Sequence, residues 1–197
     1  MERQVKRMIS HIYQQSQFGE DWFNFPEVYR NFVQEIPNNG HIIEIGSWKG
    51  KSAAFLAVEI ANSGKNIRLD CIDTWLGSPN ESYHQNDIYV KNNELYELFL
   101  RNIEPIKNYI NVIRMNSIDA AKFYSNSSID IVFIDACHDY TCVRDDINTW
   151  MPKVKNGGIL SGHDYCPDHW HGVKQAVDEI LGVDNFKVHQ TCWIYKK

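Results

Sequence analysis

Four short apolar runs, each closing on an ionisable side chain, constrain this chain more than any other feature. Residues 42–45 read Ile-Ile-Glu-Ile, and 67–72 end against Asp73. Residues 129–134 end against Asp135, and 157–161 run into His163-Asp164. Between them lie stretches of helical periodicity: 51–61, 94–103, a helix with Val143, Ile147 and Trp150 on one face, and another with Val173, Ala176, Val177, Ile180 and Leu181. Strand-helix alternation of this kind builds βαβ units and a mostly parallel sheet with helices on both faces. The expectation is one α/β domain over 1–197, a Rossmann-like, doubly wound, seven-stranded sheet. Its strands are completed by 109–115 and by a C-terminal antiparallel hairpin from FKVHQ and TCWIYKK.

Two helices are expected ahead of the sheet, as a cap over 1–37. Val5, Met8, Ile9, Ile12 and Tyr13 form one apolar stripe, and Pro26 opens a second helix with Val28, Phe32, Val33 and Ile36. A short helix is expected over 118–124. Residues 75–93 are polar and irregular, which suggests a loop or lid over a core spanning 41–197. The aromatics Trp22, Phe23, Phe25, Trp75 and Tyr83 would then roof a substrate, with Trp170 and His171 as a further wall.

Composition narrows the function. The net charge of -5 argues against nucleic acid held on a basic stripe. No apolar run is long enough to span a bilayer, and the N-terminus lacks the apolar centre of a signal peptide. Five cysteines, an odd and scattered set, suit free thiols in the cytoplasm.

In an open parallel sheet the ligand crevice lies beyond the carboxyl ends of the strands. One acid at a strand end is often a helix cap; Glu44, Asp73, Asp135 and the His163-Asp164 pair would share a single edge. Gly46 and Gly50 would let backbone approach a ligand there, and the helix opening near Lys51, with Ser52, would offer N–H groups to an anion. A dinucleotide site needs G-x-G-x-x-G, whereas this chain has G-x-x-x-G with Trp48 inside it and Glu44 before it. A zwitterion fits better, its ammonium toward Glu44 and its carboxylate on the helix end, with Asp73 reaching two ribose hydroxyls. That combination is the shape of S-adenosylmethionine.

These motifs resemble class I S-adenosylmethionine-dependent methyltransferases, most closely the small-molecule O-methyltransferases of catechol type and their bacterial sugar and antibiotic relatives. E-I-G-S-W-K-G-K-S matches the first motif of that family, implying Glu44, Gly46, Ser47, Trp48, Gly50 and Ser52 around the methionine part. C-I-D-T-W implies Asp73 on the ribose, and M-N-S-I-D-A-A implies Asn116 and Ser117 near the adenine. F-I-D-A-C-H-D-Y and N-G-G-I-L-S-G-H-D-Y carry the most specific likeness. They imply Asp135 beside the cofactor and, with His163 and Asp164, a candidate site for Mg²⁺ or another divalent metal. Histidine is an unusual ligand for a hard ion. His138 stands where the catechol type has a catalytic lysine. With an ordinary pKa of roughly 6.5 it is the expected base toward an acceptor hydroxyl, with His163 as the alternative and Asp135 orienting the substrate.

The resemblance implies methyl transfer to a hydroxylated small molecule, without nucleic acid or membrane, and leaves room for a homo-oligomer. Competing readings are a nicotinamide-dependent oxidoreductase, a non-catalytic cofactor-binding module, and a zinc loop from His163, Cys166, His169 and His171.

Overall fold

The computed structural model describes residues 8–19, 22–166 and 168–197. Seven strands form one sheet: β1 (His41–Ile45), β2 (Arg68–Asp73), β3 (Asn111–Arg114), β4 (Ile129–Ile134), β5 (Val154–Gly162), β6 (Phe186–His189) and β7 (Cys192–Lys196). Their order is β3-β2-β1-β4-β5-β7-β6. β1 to β5 pair in parallel, and β7 runs antiparallel to both β5 and β6. The expected Rossmann-like topology and closing hairpin are both present, with β7 wedged between β5 and β6. Strand order reverses between β1 and β4, the crevice position for a ligand.

Eight helices are seen among the described residues: α1 (Pro26–Glu35), α2 (Lys51–Ser63), α3 (Ser82–Asn86), α4 (Ile88–Lys91), α5 (Leu95–Ile103), α6 (Ser117–Ala120), α7 (Tyr140–Trp150) and α8 (His171–Leu181). One face of the sheet packs against α1, α2 and α5 through Phe32, Phe55, Leu56 and Phe99. The other packs against α7 and α8 through Ile147, Trp150, Ala176 and Val177. Central strands covered on both faces must be apolar throughout, which is why β1 and β4 read as near-continuous isoleucine and valine.

Two expectations change. Val5 lies outside the described residues, and residues 8–15 are not helical despite their stripe. Asn62 on α2 takes both backbone groups of Ile9, accepting from its N–H (2.8 Å) and donating to its carbonyl (2.9 Å). His11 bonds Glu59 and stacks on Phe55. Side chains of α2 thus supply the partners that a helix would have found within itself, and the helical cap is reduced to α1. Residues 75–93 contain α3 and α4 rather than an irregular loop. Trp75 is not part of a roof: it is buried against Tyr96 and Phe99, its indole N–H donating to the Trp48 carbonyl (2.9 Å).

Candidate active site

A cavity of about 510 Å³ opens at the carboxyl ends of β1, β4 and β5. That volume suits a small-molecule ligand. The turn after β1 contributes Gly46, Ser47 and Trp48, and the start of α2 contributes Lys51 and Ser52. Asp135 and His138 follow β4, and His163 and Asp164 end β5. Trp22, Phe23 and Phe25 also line it, with Trp22 in ring contact with Tyr83 and His84 of the 75–93 segment; Glu81 of that segment and Trp170 ahead of α8 complete the lining. Three strand ends thus share one rim, where the sequence reading placed four, that of β2 included.

Among the expected cofactor residues, Glu44, Gly50, Asp73, Asn116 and Ser117 do not line the cavity. Glu44 is wholly buried behind the wall, accepting from Ser52 Oγ (2.9 Å) and the Tyr29 hydroxyl (3.3 Å). Burial pushes its pKa up to about 8, so it is mostly neutral at pH 7 and offers no standing charge to an ammonium group. Gly46 lines the cavity, and protein packing by itself already requires glycine there. At φ 86° a Cβ would stand 2.0 Å from the Asp135 carbonyl oxygen. Gly50, at φ 88°, makes room for Phe99 and Ile103. Asp73 Oδ2 accepts the N–H groups of Ser47 (2.8 Å) and Trp48 (2.9 Å) in the turn after β1, and Oδ1 accepts that of Trp75 (2.8 Å) just after β2, so both oxygens are engaged by backbone. Asn116 caps α6 by accepting the Ile118 N–H, and Ser117 donates to Asp146; neither lines the cavity.

The chemistry-bearing groups meet at one corner. His138 Nδ1 lies 2.6 Å from Glu81 and its Nε2 2.8 Å from Asp164. The ring stacks on Trp170 at 4.1 Å. His163 Nδ1 faces Asp164 (3.2 Å) and Asp135 (3.5 Å), while its Nε2 meets Asn24 and Thr191. Asp164 reaches both rings from a left-handed backbone (φ 59°), which aspartate tolerates better than most residues.

Electrostatics follow from that geometry. Burial favours the neutral form of His138, but bonds to Asp164 and Glu81 outweigh it and raise its pKa to about 10. For His163, burial is likewise outweighed, chiefly by the charge of Asp135, and the pKa again rises to about 10. Asp164 is held well below the ordinary carboxylate range: burial opposes this, and bonds from His138 and His163 prevail. Both rings are therefore biased toward imidazolium, whereas the sequence reading gave His138 the ordinary pKa of a histidine base.

Ligand atoms of Asp135, His138 and Asp164 lie within 4.8 Å of one another, a set with metal-binding geometry. The expected set named His163 in place of His138. Cys166, His169 and His171 join no such group among the described residues, so the zinc-loop reading lacks the convergence it needs. Glu81 is the functional candidate that sequence reading missed. It sits in a polar segment with no periodicity, 57 residues from His138, and nothing local marks it.

Comparison with known proteins agrees with this architecture. A family model described as a methyltransferase domain matches residues 43–165. The O-methyltransferase NovP superposes with a TM-score of 0.67 at 17% identity, covering 87% of this chain and 78% of that one. The calicheamicin methyltransferase CalS11 gives 0.62 at 13% identity, covering 87% and 76%. An uncharacterized protein of Sinorhizobium fredii (strain NBRC 101917 / NGR234), y4gI, is 25% identical over 146 residues. That match takes in 72% of this chain, which spans about 15% of the length of that curated relative. The family sets the oxidoreductase reading aside. The chain belongs to the methyltransferase-domain family: it is a class I S-adenosylmethionine-dependent methyltransferase domain.

Proposed function

We propose that this domain transfers the methyl group of S-adenosylmethionine to a hydroxyl of a small-molecule acceptor, in the corner formed by Asp135, His138 and Asp164. The observation that carries the reading is the juxtaposition of that corner with the turn 46–48 and the start of α2 in one cavity. O-methyltransferases among the solved structures of similar fold support the choice of oxygen. When bound, the cofactor supplies an activated sulfonium methyl. The chain must align a nucleophile behind it and draw off the hydroxyl proton.

Of the groups at hand, Asp135 is the better proton acceptor. It lines the cavity and is partly exposed, with its side chain 23% accessible. Both ring nitrogens of His138 are already engaged, Nδ1 with Glu81 and Nε2 with Asp164. Its role in this reading is to hold Asp164 ionised and to present a positive group to the acceptor oxygen. His163 does the same for Asp164 and lies 3.5 Å from Asp135. The aromatic walls, Trp22, Phe25 and Trp170, exclude water from the transfer.

The same corner supports a metal-assisted variant, because two carboxylates and one imidazole converge there. A divalent cation would act as a Lewis acid on the acceptor oxygen. Asp135, Asp164 and His138 would hold it, and His138 Nε2 would first have to give up Asp164. Two oxygens and one nitrogen suit a borderline ion better than Mg²⁺.

The test is methyl transfer from labelled cofactor to a panel of hydroxylated acceptors. Asp135→Asn should lower kcat by about 100-fold or more, as expected on losing a general base, with S-adenosylhomocysteine affinity within a few-fold of wild type. Undiminished turnover in that variant would remove Asp135 from the mechanism. Full activity after exhaustive chelation would remove the cation.

A further inference from the structure

We propose that Cys137, Asp139 and Cys142 form a thiolate metal site, outside the methyl-transfer corner, that takes one thiophilic divalent cation of the zinc class. Cys137 and Asp139 lie on the turn between β4 and α7, and Cys142 lies in the first turn of α7. The two sulfurs and a carboxylate oxygen lie within 4.8 Å of one another. Neither cysteine is in a disulfide and neither is fully buried, so neither is simply filling core.

Asp139 carries the second observation. It occupies the N-cap of α7 with the extended backbone of a cap (φ -71°, ψ 140°), yet its side chain makes no capping bond. Aspartate at that position normally accepts an N–H of the first turn. Here Oδ2 instead accepts the Asn80 amide at 2.6 Å, which orients the carboxylate beside the sulfurs.

Two thiolates and one carboxylate, with solvent as the fourth ligand, make a tetrahedral set suited to zinc. Binding breaks one S–H bond on each cysteine, forms two metal–sulfur bonds and releases two protons to solvent. The turn concerned also carries Asp135 and His138, so the cation would stiffen the base of the catalytic corner.

Cobalt(II) titration of the fully reduced chain tests this, because thiolate-to-cobalt charge transfer reports sulfur ligation and is silent for a carboxylate–imidazole site. The expected result is a charge-transfer band saturating at one equivalent and abolished by competing zinc. Cys137→Ser and Cys142→Ser should each weaken binding by about tenfold or more, and Asp164→Asn should leave the band unchanged. Asp139→Asn, at an exposed position, should weaken binding without unfolding, which guards against cysteine variants that fail to fold. A missing band overturns the proposal, as does a band that survives both cysteine substitutions or disappears with Asp164→Asn.

Discussion

Glu44 shows how far one buried side chain departs from its reading in a motif. Its sequence position places an acid at a strand end; its surroundings remove it from water and leave it largely protonated at neutral pH. The folded pKa of about 8 lies above the ordinary carboxylate value, so the folded state binds the extra proton. Stability is therefore fully present below the unfolded pKa and falls as pH rises through about 8. Denaturant unfolding at pH 6 and pH 9 should show a loss on the order of a few kcal/mol in wild type. Glu44→Gln should flatten that dependence. An equally steep fall in the variant would place the titrating group elsewhere.

At the scale of elements, the 75–93 segment is tied to the turn after β4 by side chains rather than by a shared sheet or core. Glu81 bonds His138, Asn80 bonds Asp139, and Ser78 Oγ donates to the Ala136 carbonyl. Those three bonds couple the 75–93 segment to the turn after β4. Glu81→Gln keeps the shape and removes the charge on His138 Nδ1. It should lower kcat by roughly tenfold, less than loss of a general base, and shift the basic limb of the pH–rate profile to lower pH. Binding of S-adenosylhomocysteine should change little. An unaltered profile with altered cofactor affinity would mean that Glu81 serves only to pack the lid.

Asp70 and its partners give the whole molecule a different pH dependence at the opposite end of the sheet. Asp70 is fully buried on β2, with His41, Arg68, Asn111 and Tyr124 around it. Burial would raise its pKa, but bonds from His41, Arg68 and the others hold it well below the ordinary range. A depressed folded pKa contributes stability above the unfolded value near roughly 3.9, and that stability is lost as pH falls toward the folded pKa. Acid unfolding should begin below about pH 4. Asp70→Ala should cost about 3–5 kcal/mol at pH 7, since it strands buried partners, as measured by chemical denaturation. A loss below 1 kcal/mol would show that the cluster is solvated.

The division between what the amino-acid order decides and what folding decides follows from range. Isoleucine-rich runs, helical periodicity and the glycines after β1 are local signals, sufficient for the parallel sheet, its helices and a rim bearing Asp135, His163 and Asp164. Helix boundaries came within a few residues for the same reason. Residues 8–15 failed because α2, more than 40 residues away, supplies their hydrogen bonds. The roles of Glu44 and Asp73, and the protonation of His138, also depend on neighbours distant in sequence. A carboxylate becomes a ligand, a clamp or a neutral buried group according to what faces it, and periodicity carries no record of that. Chain order by itself determined the fold and the edge where chemistry occurs; only tertiary packing decided which side chains on that edge keep a charge and face the cavity.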